Sequence, residues 1–132
     1  MAGELDLKKL LSSLEAVLVE GVYVFVTLAD DAVPADLSPR MTFQESEGTT
    51  LIVLRKEAEA AGLDYEFPSR MITLNIHSSL DAVGFIAHIA TRLAEHGMGV
   101  NPVAGFYHDH LFVPLGREQD AMRILQGIAG NS

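Results

Sequence analysis

Arg70 to Gly97 reads RMITLNIHSSLDAVGFIAHIATRLAEHG, and two periodicities meet inside it. From Arg70 to His77 the residues alternate. Ile72, Leu74 and Ile76 point one way, while Met71, Thr73, Asn75 and His77 point the other. A period of two is the signature of a strand, here with a packed face and a more polar one. Ser78 and Ser79 offer N-caps, and Asp81 falls in the first turn of the helix expected to follow. Val83, Ile86, Ala87, Ala90, Leu93 and Ala94 then repeat at helical spacing as far as His96, where Gly97 stops the helix. Phe85 and Ile89 widen the apolar stripe beyond what one buried face needs. An apolar excess on a small domain marks a contact surface, and two-fold assemblies are the commonest, so a homodimer is expected. The internal alternative, with the N-terminal half covering both side chains, stays open.

Working outward, Gly99 to Ala104 and Leu111 to Pro114 read as strands joined through Gly105 to Asp109. Arg117 to Ile128 closes the chain as a helix with Ala121, Ile124, Leu125 and Ile128 on its apolar face. The second half therefore spells β-α-β-β-α. Before it, Leu5, Leu7, Leu10, Leu11 and Leu14 mark a short amphipathic helix with Glu4 and Asp6 in its first turn. Val22 to Leu28 is a β-branched and aromatic run that reads as a buried strand. Ala29 to Pro39 is a loop; Met41, Phe43 and Glu45 then alternate up to a turn at Glu47-Gly48, and Thr49 to Leu54 returns. Arg55 to Ala61 is a short helix ended by Gly62. Helices alternating with hairpins argue for an α+β fold. Each half lacks one strand of a ferredoxin-like βαββαβ unit, so residues 1–66 and 67–132 are expected to share strands in one antiparallel sheet, helices on one face.

The 132 residues suit one ordinary unit or two small halves, and 48% hydrophobic content is that of a globular chain. Residues 1–66 carry 13 acidic and 5 basic side chains and residues 67–132 carry 5 and 4, which accounts for the net charge of −9. The four arginines of the second half are scattered along the sequence, and an acidic chain without a basic patch repels phosphate backbones. Nucleic acid is therefore not an expected partner. Without cysteine, disulfides, thiolate metal sites and cysteine nucleophiles are excluded. Charged residues among the first twenty argue against a signal peptide, and no apolar run is long enough for a membrane span. A soluble cytoplasmic protein is expected, with no membrane partner.

Met71 to Gly84, followed by Leu93 to Asn101, resembles an ACT domain. More narrowly, His77 to Gly84 together with Val103 to Pro114 is similar to a family of small uncharacterised bacterial ACT-like proteins built of two such units in tandem. The match covers about residues 66–115, with Phe43 to Leu54 fitting in the first half. The resemblance implies a regulatory module whose ligand, an amino acid, sits at the strand-to-helix loop. That assigns His77, Ser78, Ser79, Leu80, Asp81, Ala82, Val83 and Gly84 as ligand-binding residues. The acidic residue and Pro-Gly usual before the helix in such domains are replaced here by His77, Ser78, Ser79 and Val83-Gly84. The local physics agrees: free N–H groups at a helix start favour a carboxylate, and Gly84 permits close approach. A plainer reading is that Ser78, Ser79 and Asp81 only cap a helix.

His108-Asp109-His110 puts two imidazoles on one strand face, and His77 shares the parity of Thr73 and Asn75 on a neighbouring strand. His77, His108 and His110 are therefore a metal-ligand alternative. Against it, His and Asp are ordinary hairpin residues, and Asp109 suits a tight turn. The sequence contains no nucleophile elbow, phosphate loop or dinucleotide fingerprint, so neither an enzyme nor a cofactor is expected. The reading is a non-enzymatic ACT-like module sensing a small molecule through a separate effector partner. A structural, self-associating protein without ligand is the alternative.

Overall fold

The β-branched run Tyr23–Leu28 forms strand β2, and Met41–Glu45 and Gly48–Leu54 form β3 and β4. The computed structural model describes residues 6–76 and 78–130, and its contacts gather into two compact units. One is Gly21–Ser69; the other joins Met1–Glu20 to Arg70–Ser132. In the first, β4 lies between β3 and β2, antiparallel to both, with Met41 opposite Ile52 and Tyr23 opposite Leu54. The β3–β4 turn is Ser46-Glu47, one residue earlier than expected, because Gly48 already pairs with Glu45. Gly48 has φ of 151°, and a Cβ there would stand 2.8 Å from the Leu28 carbonyl oxygen, so only glycine fits. Helix α2 (Arg55–Ala60) follows β4 directly, as expected. It closes a core of Val24, Val26, Leu51, Val53 and Ala58, with Leu63 and Tyr65 against it.

Strand β5 (Glu66–Leu74) begins four residues before the expected start at Arg70. Those residues pair with β2, Ser69 opposite Tyr23 and Glu66 opposite Phe25, across a shift in register. Phe67 has φ of 56° at that irregularity, and its ring meets Phe25 edge to face at 5.8 Å. A left-handed residue followed by Pro68 carries no strand signature in sequence, which is why the extension was not foreseen.

In the other unit, helix α1 (Leu7–Ser12) starts at Asp6, whose carboxylate accepts from the Lys9 amide at 3.2 Å. Strand β1 (Ala16–Leu18) pairs antiparallel with the end of β5, Leu18 opposite Ile72 and Ala16 opposite Leu74. Helix α3 (Phe85–Glu95), the hairpin β6 (Asn101–Ala104) and β7 (Asp109–Pro114), and helix α4 (Glu118–Gly130) complete it. The strand order is β1-β5-β7-β6. Ile72 and Leu74 of β5 and Leu111 and Val113 of β7 share one core with Leu10, Leu11, Ile89, Leu93, Leu125 and Ile128, so three helices cover one sheet face. The class is α+β with antiparallel pairing, as the sequence indicated. By contact, residues 6–20 group with residues 70–130. Leu10, Leu11 and Leu14 are buried among Ile72, Leu74 and Phe85, which puts the apolar face of α1 in that core.

Two expectations are corrected. The strand ends at Leu74 and α3 begins at Phe85, so the described residues between them form a loop instead of a strand end and a first helical turn. Phe85 and Ile89, expected outside the main stripe, are at its centre with Leu93; Ala87 and Ala94 are exposed. Val83, expected in the core, is 84% exposed. The large side chains take the buried positions because each hides more apolar area than an alanine does. Their burial removes the argument for a two-fold dimer through this helix face.

Candidate functional site

The loop before α3 is shaped by its own polar side chains. The Ser79 hydroxyl accepts from the Asp81 amide at 3.0 Å, and the Ala82 amide donates to the Ser79 carbonyl at 3.0 Å. This is a local serine turn, so Ser79 and Asp81 do stabilise a turn, but not the helix start. Ser78 does something different. Its buried hydroxyl donates to Oδ2 of Asp109, 3.0 Å away at the beginning of β7, and so ties the loop to the hairpin. His77 lies outside the described residues.

Gly84 is the N-cap of α3 and takes the left-handed conformation, φ 88°. No side chain caps the helix; its first backbone bond is the His88 amide to the Gly84 carbonyl. The Phe85, Ile86 and Ala87 amides therefore precede the first intrahelical donor, and they carry the positive end of the helix dipole. A Cβ on residue 84 would stand 3.4 Å from Cδ2 of Leu7, so the helix start is packed closely on α1.

These pieces surround a cavity of about 230 Å³ lined by Ser78, Ser79, Leu80, Ala82, Gly84, Phe85, Ile86, Ala87, Ala104, Gly105 and Asp109. Five of the eight residues expected from the sequence line it: Ser78, Ser79, Leu80, Ala82 and Gly84. Asp81 and Val83 do not. The important addition is Asp109, which is 9% exposed and pairs with Ala104 as a strand residue, not as the turn residue its type suggested. The first residues of the helix, Phe85 to Ala87, and the acidic Asp109 thus line the same small cavity. Such a wall can hold an anionic group at one end and a cationic one at the other.

The metal alternative finds little geometric help. The His108 and His110 rings are 6.3 Å apart, centroid to centroid, and nearly perpendicular. His110 Nδ1 shares a hydrogen bond with the Thr73 hydroxyl at 3.0 Å. Among the described residues no three His, Cys, Asp or Glu side chains gather to hold an ion. Among them, too, no helix is long and apolar enough to cross a membrane.

Comparison with known proteins agrees with this architecture. Sequence profiles described as ACT domain match residues 2–70 and 66–127. A solved structure from Vibrio cholerae, described as a protein of unknown function and possible transport protein, is 42% identical, with a TM-score of 0.82 over 91% of this chain and 93% of its own. A protein from Agobacterium tumefaciens is 16% identical, with a TM-score of 0.75 over 88% of this chain and 89% of its own. The ligand-free regulatory subunit of aspartate kinase from Thermus thermophilus is 10% identical, with a TM-score of 0.66 over 89% and 97%. None of the curated proteins matches. Two adjoining ACT profiles, a 42%-identical relative matched along nearly its whole length and the same tandem architecture in regulatory subunits lead to one conclusion: the chain belongs to the ACT domain family and carries two ACT domains in tandem.

Proposed function

We propose that this chain is a non-enzymatic regulatory module that senses a small molecule bearing both an amine and a carboxylate, an amino acid being the class that fits. The observation that carries the reading is the cavity wall in which the uncapped start of α3 and the Asp109 carboxylate both take part. A ligand carboxylate directed at the Phe85, Ile86 and Ala87 amides meets the positive helix end, and its ammonium group finds Asp109. Ser78 holds Asp109 in place through the buried hydroxyl bond. About 230 Å³ is less than the roughly 300–1,000 Å³ of sites for drug-sized ligands, which favours a compact metabolite. The regulatory role is supported by family membership and by the likeness to aspartate kinase regulatory subunits in fold.

The test is a thermal-shift screen against the twenty amino acids, followed by calorimetry on any that stabilise. A ligand at about 100 times its Kd adds about 2.7 kcal/mol, a shift of several degrees. Asp109→Asn keeps the shape and the Ser78 bond but removes the charge, and should weaken binding at least about tenfold. If no amino acid stabilises the protein, or if Asp109→Asn binds as the wild type does, the reading is wrong.

A further inference from the structure

A second cavity, of about 490 Å³, opens between the end of α3 and α4, lined by Arg92, His96, Arg117, Asp120, Arg123, Ile124 and Gly127. The arginines that are scattered in sequence are gathered here. Three of the chain's nine basic side chains line one concavity of a protein whose net charge is −9, and Asp120 is the single carboxylate among the lining residues. Three guanidinium groups against Asp120 and the Glu95 carboxylate beside Arg92 leave +1 before His96 is counted. Carboxylates farther off than about 8 Å act weakly there, since ionic screening cuts off beyond that distance at physiological salt.

The internal bonds do not exhaust these groups. Arg117 donates through Nε to Asp120 at 3.0 Å and through a terminal nitrogen to the His96 carbonyl at 3.2 Å, which ties the two helices. Arg123 also donates to Asp120, so one carboxylate serves two guanidiniums. Arg92 reaches Glu95 at 3.5 Å. Each guanidinium has five N–H donors, and these contacts use one or two of them. The side chains are 37%, 38% and 70% exposed for Arg92, Arg117 and Arg123. Exposed pairs of this kind add little stability, about 0–1 kcal/mol, so fold stability alone does not account for collecting three like charges. The Asp120 carboxyl sits below its ordinary range, held there first by the Arg117 hydrogen bond, as a positive surrounding requires.

We propose that this cleft binds a small phosphate-bearing molecule, with Arg92 and Arg123 taking phosphate oxygens in their planar forks while Arg117 keeps α3 and α4 in register. Asp120 occupies the place of an internal anion and competes with the ligand. The site is separate from the cavity at the other end of α3 and does not depend on what that cavity takes.

The probe is sodium pyrophosphate, titrated into the full chain at low ionic strength and followed by calorimetry and amide chemical shifts. Citrate serves as the carboxylate comparison. The expected result is saturable binding of one equivalent with Kd below about 1 mM, and shifts centred on Arg92, His96, Arg117, Arg123 and Gly127. The double variant Arg92→Ala/Arg123→Ala should weaken it at least about tenfold. Asp120→Asn should tighten it, a gain that unfolding cannot imitate, and Arg55→Ala in the other unit should leave it unchanged. Linear, unsaturable shifts overturn the proposal. So do a double variant that binds normally, weaker binding by Asp120→Asn, and citrate binding as tightly as pyrophosphate.

Discussion

Truncation of Ile89 to Ala tests where α3 turns its buried face. Ile89 is fully buried and belongs to a core that includes Leu10, Leu11, Leu74, Leu93 and Leu125. The substitution removes three carbons. At about 0.8 kcal/mol per buried carbon the lost transfer energy is about 2.4 kcal/mol. The surrounding side chains come from two other helices and a sheet, so they close only partly over the gap, and the cavity left behind raises the total to about 3–4 kcal/mol. The matched control is Val83→Ala. Val83 is 84% exposed before the helix begins, and its truncation should change stability by less than about 0.5 kcal/mol. The helical period read from sequence alone ranks these two positions the other way round. Urea denaturation followed by circular dichroism measures the difference. Because the two units have separate cores, amide exchange in Arg70 to Leu74 and in α3 should be read beside that in β2 and β4. An Ile89→Ala cost below about 1 kcal/mol, or a Val83→Ala cost above it, would refute the assignment of the buried face.

Two other expectations concern single positions. Gly48→Ala puts a Cβ 2.8 Å from the Leu28 carbonyl at a left-handed backbone angle, and should cost about 1–3 kcal/mol, with faster amide exchange in β3 and β4; a neutral variant would contradict the turn geometry. Asp120 has a carboxyl pKa lowered by Arg117, so its stabilising contribution is present above the ordinary value of 3.8 and is lost as pH falls through the folded-state value. The stability gap between wild type and Asp120→Asn should therefore be full at about pH 6 and close toward low pH. A gap that widens on acidification would reverse the sign of that shift.

Much of the secondary structure was legible because it rests on local chemistry. Tyr23 to Leu28 and Thr49 to Leu54 are β-branched runs that hardly fit anything but strands, and Ala121, Leu125 and Ile128 set the period of α4. The loop from Ser78 to Gly84 stood out as a site through its resemblance to an ACT domain, and it does line a cavity. The start of α3 was not legible, because Ser78 and Ser79 have the chemistry of helix caps yet spend it elsewhere, on Asp109 and on the Asp81 amide. Asp109 was missed because an aspartate between two histidines in a hairpin looks like a turn residue until its partner, thirty-one positions away, is known.

The sequence by itself determined the α+β class, the antiparallel hairpins, the helix ends at Gly62 and Gly97, and the region of the candidate ligand loop. All follow from interactions between residues a few positions apart. The tertiary structure alone decided which face of α3 is buried, which core receives α1, that Asp109 lines the cavity at the start of α3, and that Arg92, Arg117 and Arg123 meet. Each of these depends on surfaces distant in the chain. Phe85, Ile89, Ile86 and Ala90 offer several nearly equal apolar stripes on one helix. The neighbours supplied by α1, β5 and α4 select among them, through the area each arrangement takes from water.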